Sequence, residues 1–312
     1  MSRVLEFSDG AERGDISWWS FNNGVAVQTS GTIHGSYYYL QNGGGAASYK
    51  TLTTPLSEFY FRCYMYSVTS ASAPTLLFRN GSTALLTLTH DIVNFRWNIT
   101  GATTGNTGNN SVPGETWQCL EVRYKIDDTV GVVTVRINGI EVFTFSGDTK
   151  PGGDSTVNNF YVTGQIRLDD LAIDTATWCG LGYYIAMTAD GAGDATEWTP
   201  TGAANYQNVG IPTNDATYNT GTTGQTDNYA MTSTTLGAAS VERVIPFVRA
   251  SNPAGGTLNV GVLTEGVEHT SAVTTPTSLT WLIGAEYINN PQTGNSWTQA
   301  QLDALQFVVD VP

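Results

Sequence analysis

Alternating apolar and polar positions run through the first half of the chain and predict β-strands. In residues 59–66, Phe59 and Cys63 would share one face, while Arg62 and the tyrosines would share the other. Successive side chains of a strand point to opposite faces, and here the alternation stops repeatedly at Gly- and Asn-rich breaks. The pattern therefore predicts one β unit that extends to about residue 174.

The same alternation predicts the environment of the cysteines. In residues 117–126 the apolar face carries Leu120, so Cys119 would point to the other face, whereas Cys63 would share the face of Phe59. A disulfide requires Cβ atoms about 3.5–4.5 Å apart, which opposite faces do not provide. We therefore expect the three cysteines, including Cys179, to be buried free thiols.

Residues 132–145 contain the clearest local signal, an Asn138-Gly139 pair between two alternating runs. Such a pair is typical of a two-residue type I′ hairpin, because both turn positions need a positive φ. The turn sets cross-strand pairs that match in charge or shape. These pairs are Ile137 with Ile140, Arg136 with Glu141 and Val135 with Val142. The face that carries Phe143 and Phe145 is then expected to be covered by another sheet or by a partner.

The chain is predicted to divide into residues 1–175 and 176–312, and the second part is also expected to be β-rich. Its predicted strands are 183–189, 241–250, 257–265, 279–287 and 307–311. Between residues 190 and 235 we expect ordered long loops with short strands. One short helix is predicted near residue 300, because the spacing of Ser296 and Gln299, and also that of Thr298 and Gln301, matches a capping box.

Composition and charge narrow the range of functions. The 312 residues include 45 Thr and 34 Gly but only 13% charged residues, and the net charge is −14. A phosphate backbone is bound mainly through Lys and Arg, so no nucleic-acid partner is expected. No apolar run approaches the ~18 residues of a membrane span, and the N-terminal residues lack a signal-peptide pattern. We therefore expect synthesis in the cytoplasm without export, and no membrane partner.

The order of features in residues 1–175 resembles that of LamG-like, or concanavalin A-like, jelly rolls. The features are an aromatic strand at 59–62, a Trp-led strand at 117–124, the hairpin at 135–143 and a strand at 166–173. The resemblance implies an all-β fold. It would consist of a jelly-roll sandwich followed by a second β-rich domain with one short helix near the C-terminus.

Three further segments resemble structural proteins of tailed bacteriophages. They are residues 4–10, 193–209 and 297–307. This resemblance implies a virion structural protein that is made in the host cytoplasm and displayed on the particle surface. It would act through contacts with other virion proteins, as a capsid decoration protein or as a tail component, and the sequence leaves both open. We expect a homo-oligomer, although no motif encodes its stoichiometry.

Jelly rolls of this type include glycosidases, which act through paired carboxyl groups. A retaining glycosidase needs two carboxyl groups about 5–5.5 Å apart. Asp169, Asp170 and Asp174 are the nearest candidates, but adjacent residues of a regular strand point to opposite faces. The sequence also lacks a nucleophile motif of the GxSxG type and a HExxH metal motif. We therefore expect no enzymatic activity and no cofactor.

Two acidic loops leave calcium binding open. The LamG-like jelly rolls that the first half resembles often hold calcium through loop carboxylates and backbone carbonyls. The candidate ligands are Asp148 and Asp154 in one loop, and Asp190 and Asp194 in the other. Neither loop has the spacing of an EF-hand, and Gly-Asp loops are commonly ordinary turns in which Asp caps the backbone.

Aromatic residues are the remaining candidates for binding. Phe143, Phe145 and Trp178 are candidates for contacts with protein partners, whose interfaces have apolar centres. Trp18 and Tyr38 are candidates for stacking on sugar rings, since an aromatic face offers apolar area beside a polar group. The second pair supports an alternative function, a glycan-binding, lectin-like adhesin that attaches the particle to a host surface glycan.

Overall fold

The structure, a computed structural model, describes residues 5–11, 16, 19–30, 32–34, 37–41, 47–67, 73–209, 215–237 and 239–312, and for residues 5–9 the backbone alone. The chain divides into two compact units, Met1–Ala186 and Met187–Pro312. The junction predicted near residue 176 lies inside the first unit. The physical reason is that residues 178–184 contact strands of that unit, as shown below.

The described strands of the first unit belong to two antiparallel sheets. In chain order they are β1 (Leu5–Asp9), β2 (Val25–Gln28), β3 (Tyr38–Gln41), β4 (Ala47–Leu56), β5 (Glu58–Ser67), β6 (Thr75–Asn80), β7 (Thr83–Asp91), β8 (Arg96–Gly101), β9 (Gly105–Asn106), β10 (Trp117–Lys125), β11 (Gly131–Ile137), β12 (Ile140–Gly147), β13 (Val157–Thr163) and β14 (Ile166–Asp174). The eight-stranded sheet has the order β12-β11-β10-β5-β14-β3-β2, with β1 also paired to β14. The six-stranded sheet has the order β4-β13-β6-β7-β8-β9. The predicted all-β, jelly-roll sandwich is thus confirmed.

The two sheets pack together through an aromatic core. Phe59 and Phe61 of β5 meet Phe78 of β6 and Phe160 of β13. Ring centroids are 5.0 Å apart for Phe59 and Phe78, and 4.8 Å apart for Phe61 and Phe160. All four side chains are fully buried. Large rings suit this position because sheets that pack face to face lie about 10 Å apart.

The cysteines of β5 and β10 lie on opposite faces, as predicted. Cys63 is directly opposite Leu120, and Cys119 is opposite Tyr64. Both are buried free thiols. Burial is the main reason that the pKa of Cys119 rises to about 12. A thiol with so high a pKa stays protonated at neutral pH and is a poor nucleophile.

The tip of the β11–β12 hairpin is also as predicted. Asn138 and Gly139 have positive φ angles of 51° and 80°. The two pairs nearest the turn are confirmed, namely Ile137 with Ile140 and Arg136 with Glu141. The sequence therefore determines the turn and the first two rungs of the ladder.

Beyond those rungs the predicted register is wrong. A β-bulge between Val135 and Arg136 pairs Val135 with Phe143 instead of Val142. Because an inserted residue reverses the faces of everything that follows it, Phe143 and Phe145 lie on the same face as the fully buried Val135. The two phenylalanines therefore face the opposing sheet at the border of the sandwich.

The second unit is built around a five-stranded sheet with the order β15-β18-β23-β20-β21, and β16-β17 and β19-β22 form two small sheets. Its strands are β15 (Ala189–Thr196), β16 (Thr199–Pro200), β17 (Asn219–Thr220), β18 (Thr226–Met231), β19 (Phe247–Ala250), β20 (Gly256–Thr264), β21 (Val267–Thr275), β22 (Thr280–Ile283) and β23 (Gln306–Asp310). Tyr229, Leu258, Val260, Leu282 and Val309 form its main core. Residues 183–188, predicted as the start of a strand, are not in one.

One α-helix is described, α1 (Gln299–Asp303), beside short 3₁₀ helices at Pro151–Gly153 and Asn205–Asn208. Of the two predicted capping boxes, α1 uses the second. The Gln301 N–H donates to Thr298 Oγ1 (3.3 Å), and the Thr298 N–H donates to Gln301 Oε1 (3.0 Å). Within the described residues no helix is long and apolar enough to cross a membrane.

Candidate functional site

An open groove lies on the outer face of the six-stranded sheet, where β4, β13 and β6 are neighbours. Two rows of side chains cross these strands. In the first row Tyr161 is opposite Tyr49, and in the second row Asn159 lies between Thr51 and Arg79. With Gly81 and Ser82 these residues line a groove of about 540 Å³. We call this set the β4–β13–β6 groove.

Strand alternation explains why these side chains point outward. Phe160 lies between Asn159 and Tyr161 in β13 and is fully buried in the sandwich core. Its two neighbours are half-buried, as are Tyr49 and Arg79. One strand therefore supplies both the core and the groove, because successive residues face opposite sides.

An aromatic row borders the groove. Phe21 forms a β-bridge with Tyr49, and their rings stack with centroids 5.4 Å apart. The Tyr49 ring stacks in turn on Tyr161 at 5.3 Å. The Arg79 guanidinium also lies over the Tyr161 ring, 4.5 Å from the ring centroid. Phe21, at the end of the row, is 46% exposed. The row thus combines apolar ring area, phenol groups and a cation.

Amide and hydroxyl groups form the polar part of the groove. Thr51 Oγ1 donates to Asn159 Oδ1 (3.0 Å), and Asn159 Nδ2 donates to Asn158 Oδ1 (2.7 Å). Asn158 Oδ1 also accepts from the Gly81 N–H at 2.9 Å, and the Arg79 guanidinium donates to the Ser82 carbonyl. These bonds hold the amides in fixed orientations, and an amide fixed in this way can still donate and accept further hydrogen bonds.

The groove combines aromatic, neutral polar and cationic side chains. Its lining residues are Tyr49, Thr51, Arg79, Gly81, Ser82, Asn159 and Tyr161, which include no carboxylate or imidazole. Sites of this kind place a few oriented polar groups beside apolar surface. A ligand with many hydroxyl groups and some apolar surface matches that arrangement.

The outer face of the eight-stranded sheet differs because the chain itself covers part of it. We call residues 178–184 the strap. The Trp178 ring lies 5.3 Å from Tyr60, and the Tyr64 hydroxyl donates to the Leu181 carbonyl at 3.0 Å. The Gly180 N–H donates to Glu121 Oε1 at 2.8 Å. Backbone groups of the strap are thus bound by side chains of β5 and β10.

Charged side chains are buried beneath the strap. Arg62 is 4% exposed, Glu121 1% and Asp170 1%. Arg62 Nε donates to the Asp170 carbonyl (3.0 Å), and the Asp170 carboxylate accepts from the Tyr184 N–H and contacts His34 Nδ1, each at 2.7 Å. Burial opposes the charge of Arg62, but neighbours led by Tyr184 outweigh it and raise the pKa.

The predicted acid residues of β14 belong to this buried region. A β-bulge interrupts the strand between Asp169 and Ala172, and Asp170 has a φ of 48°. Asp169 and Asp170 therefore do not lie in a regular strand, and the rule that adjacent side chains face opposite sides does not apply to them. Asp169, Asp170 and Asp174 are each at most 1% exposed, so they line no groove that a substrate could enter in this structure.

Of the predicted glycan-stacking residues, Trp18 lies outside the described residues. Tyr38 is 3% exposed. Its ring is packed against Trp117, with centroids 5.7 Å apart, and under Arg167 at 5.4 Å. At 3% exposure the Tyr38 ring offers no face to a sugar, whereas the tyrosines of the groove are half-buried.

The predicted contact residues are engaged within the first unit. Phe143 lies against Gly105, where a Cβ atom would meet the ring at 2.4 Å. Phe145 is half-buried beside Gly147. Trp178 is covered by the Arg136 guanidinium, 3.8 Å from its ring. These contacts account for the apolar area that suggested a partner.

The four calcium candidates lie in two separate regions. Asp148 is exposed and accepts from the Lys150 N–H, and Asp154 accepts from Asn80 Nδ2. Asp190 is exposed, and Asp194 exchanges hydrogen bonds with Gln306. Among the described residues no three acidic, His or Cys side chains are grouped to hold a metal ion.

The sequence did not single out Phe21, Tyr49, Arg79, Asn159 or Tyr161. A signal was present, since Tyr49 and Thr51 alternate, as do Asn159 and Tyr161. That alternation could not reveal that the two strands are neighbours. The groove exists only through pairing between distant parts of the chain.

No family model matches the chain, and no curated protein matches it. Among solved structures, it is similar to an endo-β-1,4-glucuronan lyase from the fungus Trichoderma reesei, with 10% identity, a TM-score of 0.42, and coverage of 55% of this chain and 96% of the lyase. A Bacillus subtilis protein of unknown function with a galectin-like fold shares 10% identity, with a TM-score of 0.41 and coverage of 57% and 99%.

Arcelin-5, a lectin-like defense protein from Phaseolus vulgaris, shares 7% identity, with a TM-score of 0.39 and coverage of 56% of this chain and 98% of arcelin-5.

Proposed function

We propose that the protein is a non-enzymatic glycan-binding module and that it binds sugar in the β4–β13–β6 groove. The observation that carries this proposal is the Phe21–Tyr49–Tyr161 aromatic row beside the hydrogen-bonded Thr51 and Asn159 on an open sheet face. From the sequence, glycan binding was the alternative function, and Trp18 and Tyr38 were the candidate residues for stacking on sugar.

The chemistry of the groove suits a sugar ring. Sugars present an apolar C–H surface together with hydroxyl groups that both donate and accept hydrogen bonds. The aromatic row offers apolar area with polar tips, and Thr51 and Asn159 offer both kinds of hydrogen-bonding group.

Glycan-array binding of the full chain tests this proposal. We expect Tyr161→Ala to lower affinity for the best glycan by about 10-fold or more, since it removes both the ring stacked on Tyr49 and the support of Arg79. Tyr218→Ala is the matched control, because Tyr218 is an exposed tyrosine of the second unit. Absence of binding across a broad array, or equal loss in the two variants, would contradict the proposal.

We further propose that this module is displayed on the surface of a bacteriophage virion, on the capsid or the tail. Support comes from the resemblance of residues 4–10, 193–209 and 297–307 to phage structural proteins. Mass spectrometry of purified particles tests this setting, and particles without the chain would argue against it while leaving glycan binding intact.

A further inference from the structure

We infer that the preferred ligand of the β4–β13–β6 groove is a glycan that carries a carboxylate, and that Arg79 binds that group. This inference rests on the proposed function. It starts from the surroundings of Arg79. Among the described residues no carboxylate pairs with it, which is also true of Arg136 and Arg167, but Arg79 is the arginine that lines the groove. Arg96 and Arg123 of the same unit lie 3.3 Å and 2.7 Å from Asp91 and Glu58.

The hydrogen-bonding capacity of Arg79 is also unfilled. A guanidinium has several N–H donors and no acceptor. Within the described part of the chain, Arg79 has one hydrogen-bond acceptor, the Ser82 carbonyl, and its buried Nε has none. The side chain is held in place by the Tyr161 ring 4.5 Å away. A cation that is fixed, half-buried and short of acceptors is ready to bind an anion without losing much conformational freedom.

The positive charge of Arg79 stands against a strongly negative protein. At a net charge of −14 the protein repels anionic ligands in general. Selection of an acidic glycan therefore requires a positive group in the groove itself, and Arg79 is the charged residue among those that line it. Charge-assisted hydrogen bonds from arginine to a carboxylate are roughly twice as strong as neutral ones. A neutral sugar would leave this capacity unused.

Calorimetric binding to paired probes tests the inference. The probes are sialyllactose with lactose, and an oligoglucuronate with the same oligomer after reduction of its carboxyl groups. We expect the acidic member of at least one pair to bind about 10-fold tighter at low salt, and this preference to shrink at high salt. In Arg79→Gln the preference should disappear, while Arg79→Lys should keep part of it.

Arg96→Gln is the matched control, since it removes the same charge from the same sheet outside the groove. A preference that survives in Arg79→Gln, or disappears equally in Arg96→Gln, would overturn the inference. Equal binding of acidic and neutral probes by the wild-type protein would also overturn it, but would leave the proposed function standing. Absence of binding to every probe and to a broad array would remove both.

Discussion

The outer faces of the two sheets in the first unit use the same residue types for different ends. On the eight-stranded sheet Arg167 lies over Tyr66, 4.5 Å from the ring centroid, and on the six-stranded sheet Arg79 lies over Tyr161 at the same distance. Beneath the strap, however, side chains such as Arg62 are buried, whereas those of the groove are half-buried or exposed. Coverage by the chain, more than residue type, decides which side chains stay open to solvent.

The difference between the covered face and the open face should have its largest effect on stability, at a buried charge. We expect Arg62→Met to lower the free energy of unfolding by about 3 kcal/mol or more, because it removes the buried cation that lies beside Asp170 and opposite Glu121. The matched substitution on the open face, Arg79→Met, should cost less than about 1 kcal/mol. Urea denaturation of the full-length variants measures both.

Similar losses in the two arginine variants would contradict the distinction between a covered and an open face. A small loss for Arg62→Met would mean that the strap tolerates rearrangement around the buried carboxylates. A large loss for Arg79→Met would mean that the groove is part of the structural framework, and the stacked row beside Arg79 would then have a structural role.

Two neighbouring residues of the six-stranded sheet, His90 and Asp91, should affect stability at different pH values. His90 is fully buried, its Nε2–H is placed to donate to the Val112 carbonyl at 3.1 Å, and Nδ1 has no partner among the described residues. Burial lowers the pKa of His90, although the Val112 bond and Asp91 act in the opposite direction. The neighbouring Asp91 has a pKa of about 2, mainly through its bond with the Asn94 side chain.

The sign of the effect follows from these pKa shifts. Below the ordinary pKa of histidine, about 6.5, the unfolded chain binds a proton that folded His90 resists, so stability should fall as pH decreases from 7 to 5. The loss is about 1.4 kcal/mol for each unit by which the pKa is lowered. Asp91 should not contribute until much lower pH. Denaturation at several pH values should show a flatter dependence in His90→Gln, and an unchanged slope would show that other groups cause it.

Local patterns were sufficient to predict much of the fold. The opposite faces of Cys63 and Cys119 followed from alternation, and the turn at Asn138 and Gly139 followed from the requirement for positive φ. The helix near residue 300 followed from its capping box. Each of these features is determined by residues that are close in the sequence, so that the physical cause is visible there.

The candidate site could not be predicted in the same way. Thr51 and Asn159 share a hydrogen bond although they are 108 positions apart. Bulges at Val135 and Asp170 changed which side chains face inward, and no local pattern marked them. Tyr38 and Tyr161 are both tyrosines in alternating segments, and only the arrangement of other strands decides that one is buried and the other lines a groove.

The smallest expected effects come from removing a single hydroxyl group on each face. Tyr64 donates its hydroxyl hydrogen bond to the strap carbonyl of Leu181, so Tyr64→Phe should lower the free energy of unfolding by about 1 kcal/mol. Tyr161→Phe keeps the stacked ring and should change stability by less than about 0.5 kcal/mol. Its cost should appear instead as weaker glycan binding, because the phenol group is available to a ligand. Denaturation and calorimetry on the same two variants measure both quantities. If Tyr64→Phe affected binding alone, or Tyr161→Phe affected stability alone, the roles assigned to the two faces would be reversed.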